Sequence, residues 1–440
     1  MIVRLDERIG LLRGLFVASL VVSMGTGARA VGRGESNRCL DEVLRKAVEE
    51  KRLPGVVAIV ARGHAVVYQK AFGKQYAAKG VPMAVDSIFR LASMTKPVTS
   101  VAVMQLIERG HLKLDEPAAT YLPELARVEV LEGSDANGKA TLRAPRMPVT
   151  VRHLLTHTSG FGYEFFDEKL HRYVAGGGAP SISTGDDSFL KQPLLFEPGT
   201  QWEYGISVDW LGKLVEKISG QSLEEYLRQN IFLPLGMGDT FFDVPADKQV
   251  RVVTVHQRKN DGLLAENPPQ QFKPVQFQSG GGGLYSTAPD YLKFTRMLLG
   301  GGKLGKTRLL QAETVALMGR NQIGDLNVTE FNSLEPQWAR NRVRIPGNLD
   351  KFGLGFAINS LPVEGGRAAG SMAWAGIYNT YFWIDPARKT TAVLMTQFLP
   401  FLDDAAKSLL EQFELAVYRS ESPGTSKGSD VPTGNSSTQD

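Results

Sequence analysis

The apolar residues of this chain change their repeat several times, and the order of those changes constrains the fold more than any single residue. GVVAIVARGHAVVYQKAFG (55–73) reads as two strands around Arg62-Gly63. From Ser93 to about Leu299 the strong segments have helical spacing instead. They are TSVAVMQLIERG, VTVRHLLTHTSG, DWLGKLVEKISG, SLEEYLRQNIFLPLG and APDYLKFTRMLLGGG, each with a glycine near its end. Strand character returns in GLGFAI, NTYFWID and KTTAVLMTQF, the last two joined by a turn at Asp385-Pro386. Helices flank the whole. Leu40, Val43, Leu44, Ala47 and Val48 form an apolar stripe stopped by Pro54-Gly55, and DDAAKSLLEQFELAVYR closes the pattern. Early and late strands can share a sheet only if the helical block between them is an insertion. The prediction is an α+β fold: an antiparallel sheet flanked by terminal helices (38–92 and 285–420) and a large, mostly helical inserted domain (93–284). The length of 440 residues agrees, because one hydrophobic core rarely organises that much chain.

The ends read differently. Arg4, Arg8 and Arg13 precede the apolar run Leu15 to Met24, and Ala28-Arg29-Ala30 has the form of a cleavage site. Residues 1–30 are therefore expected to be a signal peptide, and the protein to be exported, periplasmic or secreted; a cytoplasmic protein with a disordered leader is the alternative. The run is shorter than the roughly 20 residues a bilayer requires, so no membrane span is expected. The tail at 421–440, rich in Ser, Gly, Pro and Thr, is expected to be disordered. It contains Gly424-Thr425-Ser426-Lys427-Gly428, a G-x-S-x-G match without the strand and helix that would make it a nucleophile elbow. A net charge of +4, part of it in the leader, gives no support to nucleic-acid binding. One cysteine, Cys39, excludes an internal disulfide and cysteine-rich metal sites.

Ser93-Met94-Thr95-Lys96 is the first pattern with chemistry in it. Three residues apart on a helix, the two side chains share a face, and a desolvated lysine can take the proton of a serine nucleophile. The motif alone is weak. Ser188-Phe189-Leu190-Lys191 repeats it in a polar stretch, and Ser93 by itself could be a helix cap. The surrounding landmarks are more specific. VTVRHLLTHTSGF lies upstream of Glu197-Pro-Gly-Thr-Gln-Trp-Glu-Tyr204-Gly-Ile206-Ser207, and GGGGLYSTAPDYLKF and Trp374-Ala375-Gly376 follow.

In this order the landmarks resemble the serine β-lactamase and penicillin-binding-protein-like superfamily. The similarity runs to the class C β-lactamases and, more closely, the family VIII carboxylesterases, from roughly Leu40 to Tyr418. The resemblance implies that Ser93 is the acylated nucleophile and that Lys96 shares its proton. It implies that Tyr204 is the tyrosine of a Y-x-N motif, acting as base or in a Lys–Tyr relay. The backbone N–H groups of Ser93 and Ile377 would form the oxyanion hole, and Trp374, Ala375 and Gly376 would edge the substrate site. Ile206 stands where β-lactamases have asparagine, and Trp374 where they have lysine, so both departures point to a more apolar cleft. Tyr204 as a structural aromatic and Trp374 as a core aromatic are the plainer alternatives.

The expectation is a serine hydrolase that cleaves small-molecule carboxylic esters through an acyl-enzyme, with no cofactor and no metal. A β-lactamase, D-Ala carboxypeptidase, amide hydrolase or acyltransferase on the same residues is the alternative, and a non-catalytic binding homologue a further one. His153 and His157 have i, i+4 spacing, but Leu154 stands where a metalloprotease needs glutamate, so a helix-terminal and partly buried histidine pair is expected. Gly280 to Gly283 lack the lysine of a phosphate loop and are expected to allow close backbone approach beside the cleft. Acyl-chain preference and oligomeric state are left open.

Overall fold

The computed structural model describes residues 33–419, apart from 51, 77, 135–138, 269 and 342–348. The predicted leader, the predicted tail and the G-x-S-x-G match at 424–428 lie outside the described residues. The sheet contains β1 (Gly55–Arg62), β2 (Ala65–Tyr76), β3 (Val81–Pro82), β4 (Leu349–Phe352), β5 (Ala357–Asn359), β6 (Met372–Gly376), β7 (Thr380–Asp385) and β8 (Thr390–Met395). Its order is β4-β5-β6-β7-β8-β1-β2-β3, with every neighbouring pair antiparallel. The first strand of the chain thus pairs with the last of this sheet, Ile59 opposite Val393. That pairing is the split sheet predicted from the apolar pattern.

Residues in β6, β7 and β8 are buried without alternation, as strands are when helices cover both faces. Adjacent residues of β7 show the two layers. The Phe382 ring lies 5.2 Å from Tyr291 of the helix Ala288–Leu299. Trp383 points the other way, 5.7 Å from Phe413 and donating to the Tyr418 hydroxyl at 3.0 Å. Both residues belong to the terminal helix Asp404–Arg419, which packs beside the first helix, α1 (Arg33–Glu49).

Between β3 and β4 most of the regular elements are helices, as expected, but they are short and separated by long irregular stretches, and the chain also forms small sheets that the pattern did not announce. Val130–Ser134 pairs with Ala140–Arg143, and His256–Arg258 pairs with both Leu264–Glu266 and Phe398–Leu399. A third piece is two residues per strand, Phe89–Arg90 against Tyr285–Ser286. Together with the Leu91 N–H to Leu284 carbonyl bond at 2.9 Å, it ties the approach to Ser93 to the end of the glycine run.

Candidate active site

Ser93 lies in a tight turn, Ala92–Met94, that leads into α2 (Thr95–Glu108). Ala92 has φ 45°, a left-handed conformation that costs a residue with a Cβ and is stored where geometry matters. No side chain caps either helix start, so Ser93 does not serve as a cap. In α2 every residue from Thr95 to Leu106 is buried, which makes it a central helix and withdraws Lys96 from water.

Lys96 is 1% exposed, and its amine has three acceptors around it. Nζ donates to Ser93 Oγ at 3.3 Å, to the Tyr163 hydroxyl at 2.9 Å and to the Gly281 carbonyl at 2.8 Å. These contacts hold the amine beside the serine oxygen. The Tyr204 ring centroid lies 4.7 Å from Nζ, so the lysine meets this tyrosine through its ring. Tyr163 is therefore the phenol in direct contact with the lysine. Sequence reading missed it, although it lies only two residues beyond the quoted VTVRHLLTHTSGF stretch. Burial pushes its phenol well above the ordinary tyrosine value, with Tyr204 and Asp209 adding to the effect.

The glycine run approaches as closely as expected. A Cβ on Gly280 would sit 2.8 Å from the Val208 carbonyl, and one on Gly281 would sit 2.4 Å from Asp209 Oδ2. Asp209, fully buried in the helix Ser207–Ser219, accepts from Ser279 Oγ at 2.5 Å and from the Gly281 N–H at 3.0 Å. It thereby fixes the peptide whose carbonyl holds Lys96. Burial raises the Asp209 carboxyl, and the nearby Lys96 charge opposes that rise.

Above Ser93 opens a cavity of about 380 Å³ with an aromatic wall that includes Tyr163, Phe166, Tyr204, Phe331 and Trp374. Ala375, Ile377 and Tyr378 form another side, and the described lining contains neither lysine nor arginine. Trp374 is 2% exposed; its ring meets Tyr204 edge-on at 5.1 Å and Phe352 at 5.4 Å. It is thus both a core aromatic and part of the cavity wall, so the two readings of it were not exclusive. Ile206 is not on that wall. It is completely buried in the hydrophobic core at the start of the Ser207 helix. Gly376 is also absent from the lining; the Leu91 carbonyl and Thr380 Oγ1 occupy the space a Cβ there would need.

The remaining candidates separate. Ser188 hydrogen-bonds Asp186, and Lys191 is exposed. His153 takes the Thr150 N–H on Nδ1 at 3.2 Å in a capping box at the start of the helix Val151–Thr156. His157 ends that helix with φ 58° and is buried against Trp202, Tyr204, Phe352 and Trp374. Burial, and then the Lys96 charge, hold its imidazole well below the ordinary histidine value. Among the described residues no group of three His, Cys, Asp or Glu side chains could hold a metal ion. Glu203, beside Tyr204, has its carboxyl pushed up to about 8 by burial, with Asp167 adding to the rise.

The profile of the beta-lactamase family matches residues 40–416. Monacolin J acid methylbutanoyltransferase of Aspergillus terreus is 34% identical over 414 residues, 90% of this chain and 98% of that protein. Esterase EstB of Burkholderia gladioli is 32% identical over 383 residues, covering 81% and 89%. Among solved structures, unliganded simvastatin synthase (LovD) from Aspergillus terreus superposes with a TM-score of 0.77 at 33% identity, over 89% of this chain and all of that one. Sheet topology, the serine and lysine beneath an aromatic cavity, and likeness over nearly the whole described length agree: the chain belongs to the beta-lactamase family, among its serine-type hydrolases and acyltransferases.

Proposed function

We propose that Ser93 is acylated by carboxylic esters and that the protein is a serine esterase. The contact of Ser93 Oγ with the buried Lys96 amine, at the floor of an apolar cavity, carries the reading. Oγ attacks the ester carbonyl carbon, and its proton passes to the Lys96 amine that it touches, with Tyr204 of the cavity wall as the second member of the relay, as the Oγ–C bond forms. The C–O bond to the alcohol then breaks, and that proton leaves with the alcohol. Water repeats the sequence in reverse and frees the serine. The backbone N–H groups of Ser93 and Ile377 meet the charge that develops on the carbonyl oxygen, where fixed donors act most strongly. Trp374 in place of a lysine, in a described lining that holds neither lysine nor arginine, supports esters over β-lactams.

A second reading, transfer of the acyl group to an alcohol, is supported by the 34% identity to a methylbutanoyltransferase. The aromatic wall also suits a carbon skeleton better than it suits water. Intact mass after mixing with p-nitrophenyl butyrate tests both readings. A butyryl adduct on the wild type and none on Ser93→Ala is expected; an adduct on both would remove Ser93 as nucleophile. Added 1-butanol then partitions the acyl group between butyrate and butyl butyrate. Nitrocefin turnover equal to ester turnover would overturn the ester preference.

A further inference from the structure

Arg90 lies three residues ahead of Ser93 and is half-buried, and its charge is met differently from that of three other buried or half-buried arginines in this fold. Arg367 pairs with Glu414, Arg258 with Asp403 and Arg251 with Asp239. The partners of Arg90 are neutral. Nε donates to Gln270 Oε1 at 3.0 Å, Nη1 donates to the Tyr378 hydroxyl at 3.2 Å, and the guanidinium lies 5.7 Å from the Tyr378 ring centroid. Among the described residues no carboxylate forms an ion pair with it. A guanidinium partly withdrawn from water, with no counter-charge beside it, favours an anion that can meet it.

Space for that anion is present. Arg90, Gln270 and Tyr378 line a second cavity of about 540 Å³, with Lys79 also on its wall and no Asp or Glu in its described lining. Glu266 adjoins the lining residue Asn267 without lining the cavity itself; its Oε2 accepts the Ala78 N–H at 2.8 Å, and it forms no ion pair with Arg90. Tyr378 belongs to the walls of both cavities and directly follows Ile377. Three residues of chain place the Arg90 and Ser93 backbones at most about 11 Å apart. One molecule of modest size spans that distance.

We propose that this second cavity is an anion subsite of the catalytic cleft. Arg90 holds a carboxylate or phosphate carried by the alcohol half of the substrate while the ester carbonyl lies at Ser93. The position of the carbonyl rests on the acyl-enzyme reading above; the anion site does not. A planar guanidinium suits either anion, since both offer two oxygens to its N–H groups. The assignment predicts selectivity by charge that the apolar main cavity cannot supply.

The test compares 4-butyryloxybenzoate with its methyl ester, which have the same acyl group with and without the charge. The phosphate counterpart, 4-butyryloxyphenyl phosphate, distinguishes the two anions. The wild type is expected to favour a charged ester in kcat/KM, and Arg90→Met to lower the charged-to-neutral ratio by about tenfold or more. Arg90→Lys should restore part of that ratio. A ratio equal in wild type and Arg90→Met, or a wild type that prefers the methyl ester, overturns the proposal. Calorimetric titration with 4-hydroxybenzoate and methyl 4-hydroxybenzoate requires neither turnover nor a stable variant. Tighter binding of the anion by the wild type, lost as salt rises, supports the site even if no ester acylates Ser93. Equal binding of the two overturns it even if esters are cleaved.

Discussion

Replacing Tyr163 by phenylalanine removes one oxygen from the three that surround Lys96. The ring can stay where it is, stacked on Phe165 with centroids 4.9 Å apart, so packing is preserved and the change is electrostatic. Nζ then retains Ser93 Oγ at 3.3 Å and the Gly281 carbonyl at 2.8 Å. A hydrogen bond to an ionised group contributes about 1.5–3 kcal/mol, and a buried group that loses a partner has no water to replace it. If that contribution acts in the transition state, kcat/KM for p-nitrophenyl butyrate falls roughly 10- to 150-fold at about 1.4 kcal/mol per decade. The assay is the pH profile of kcat/KM for Tyr163→Phe beside that for Tyr204→Phe. Loss of a proton-transferring group costs about 10²- to 10⁴-fold, so Tyr204→Phe is expected to be the more damaging. Activity of Tyr163→Phe within about threefold of wild type, with an unchanged profile, would refute the reasoning. The lysine would then be held by the serine and the Gly281 carbonyl alone.

Two further changes test the support around the site. Glu203 has a carboxyl at about 8 in the fold against an ordinary 4.5, so the folded state keeps a proton that the unfolded chain releases over that interval. Its contribution to stability is fully present below 4.5 and is lost as pH rises through 8; Glu203→Gln should flatten the corresponding fall in Tm, and parallel Tm curves for the two proteins would count against it. Gly281→Ala places a Cβ 2.4 Å from a buried carboxylate oxygen of Asp209. Stability should drop by about 1–3 kcal/mol in denaturant titration, with a loss of kcat as the Lys96 acceptor moves; an unchanged midpoint would show that the loop yields freely.

Much of this was legible in the chain because periodicity is local. The run of strand character around Ile59, its return around Val393 and the helical spacing between them required a split sheet, and Ile59 does face Val393. Glycine chemistry was legible too, since four consecutive glycines imply a close approach that only a missing Cβ allows. Motif position was a poorer guide to which side of a residue faces substrate. Trp374 and Ile206 both departed from the β-lactamase pattern, yet only Trp374 reaches the cavity. One sits on a strand beside the opening, whereas the other is buried in the hydrophobic core at the start of a helix.

The sequence by itself determined the layer architecture, the order of its parts and the pairing of Ser93 with Lys96, because a helix turn brings residues three apart onto one face. Tertiary structure alone decided what else meets that lysine. Tyr163, Asp209 and Gly281 are separated from it by 67 residues or more and share no local pattern with it. The same holds for Arg90, whose lack of a carboxylate is a fact about Gln270 and Tyr378 packing around it. Periodicity records how a segment lies against a core; it carries no record of which distant polar groups close around a buried charge, and that closure sets the chemistry.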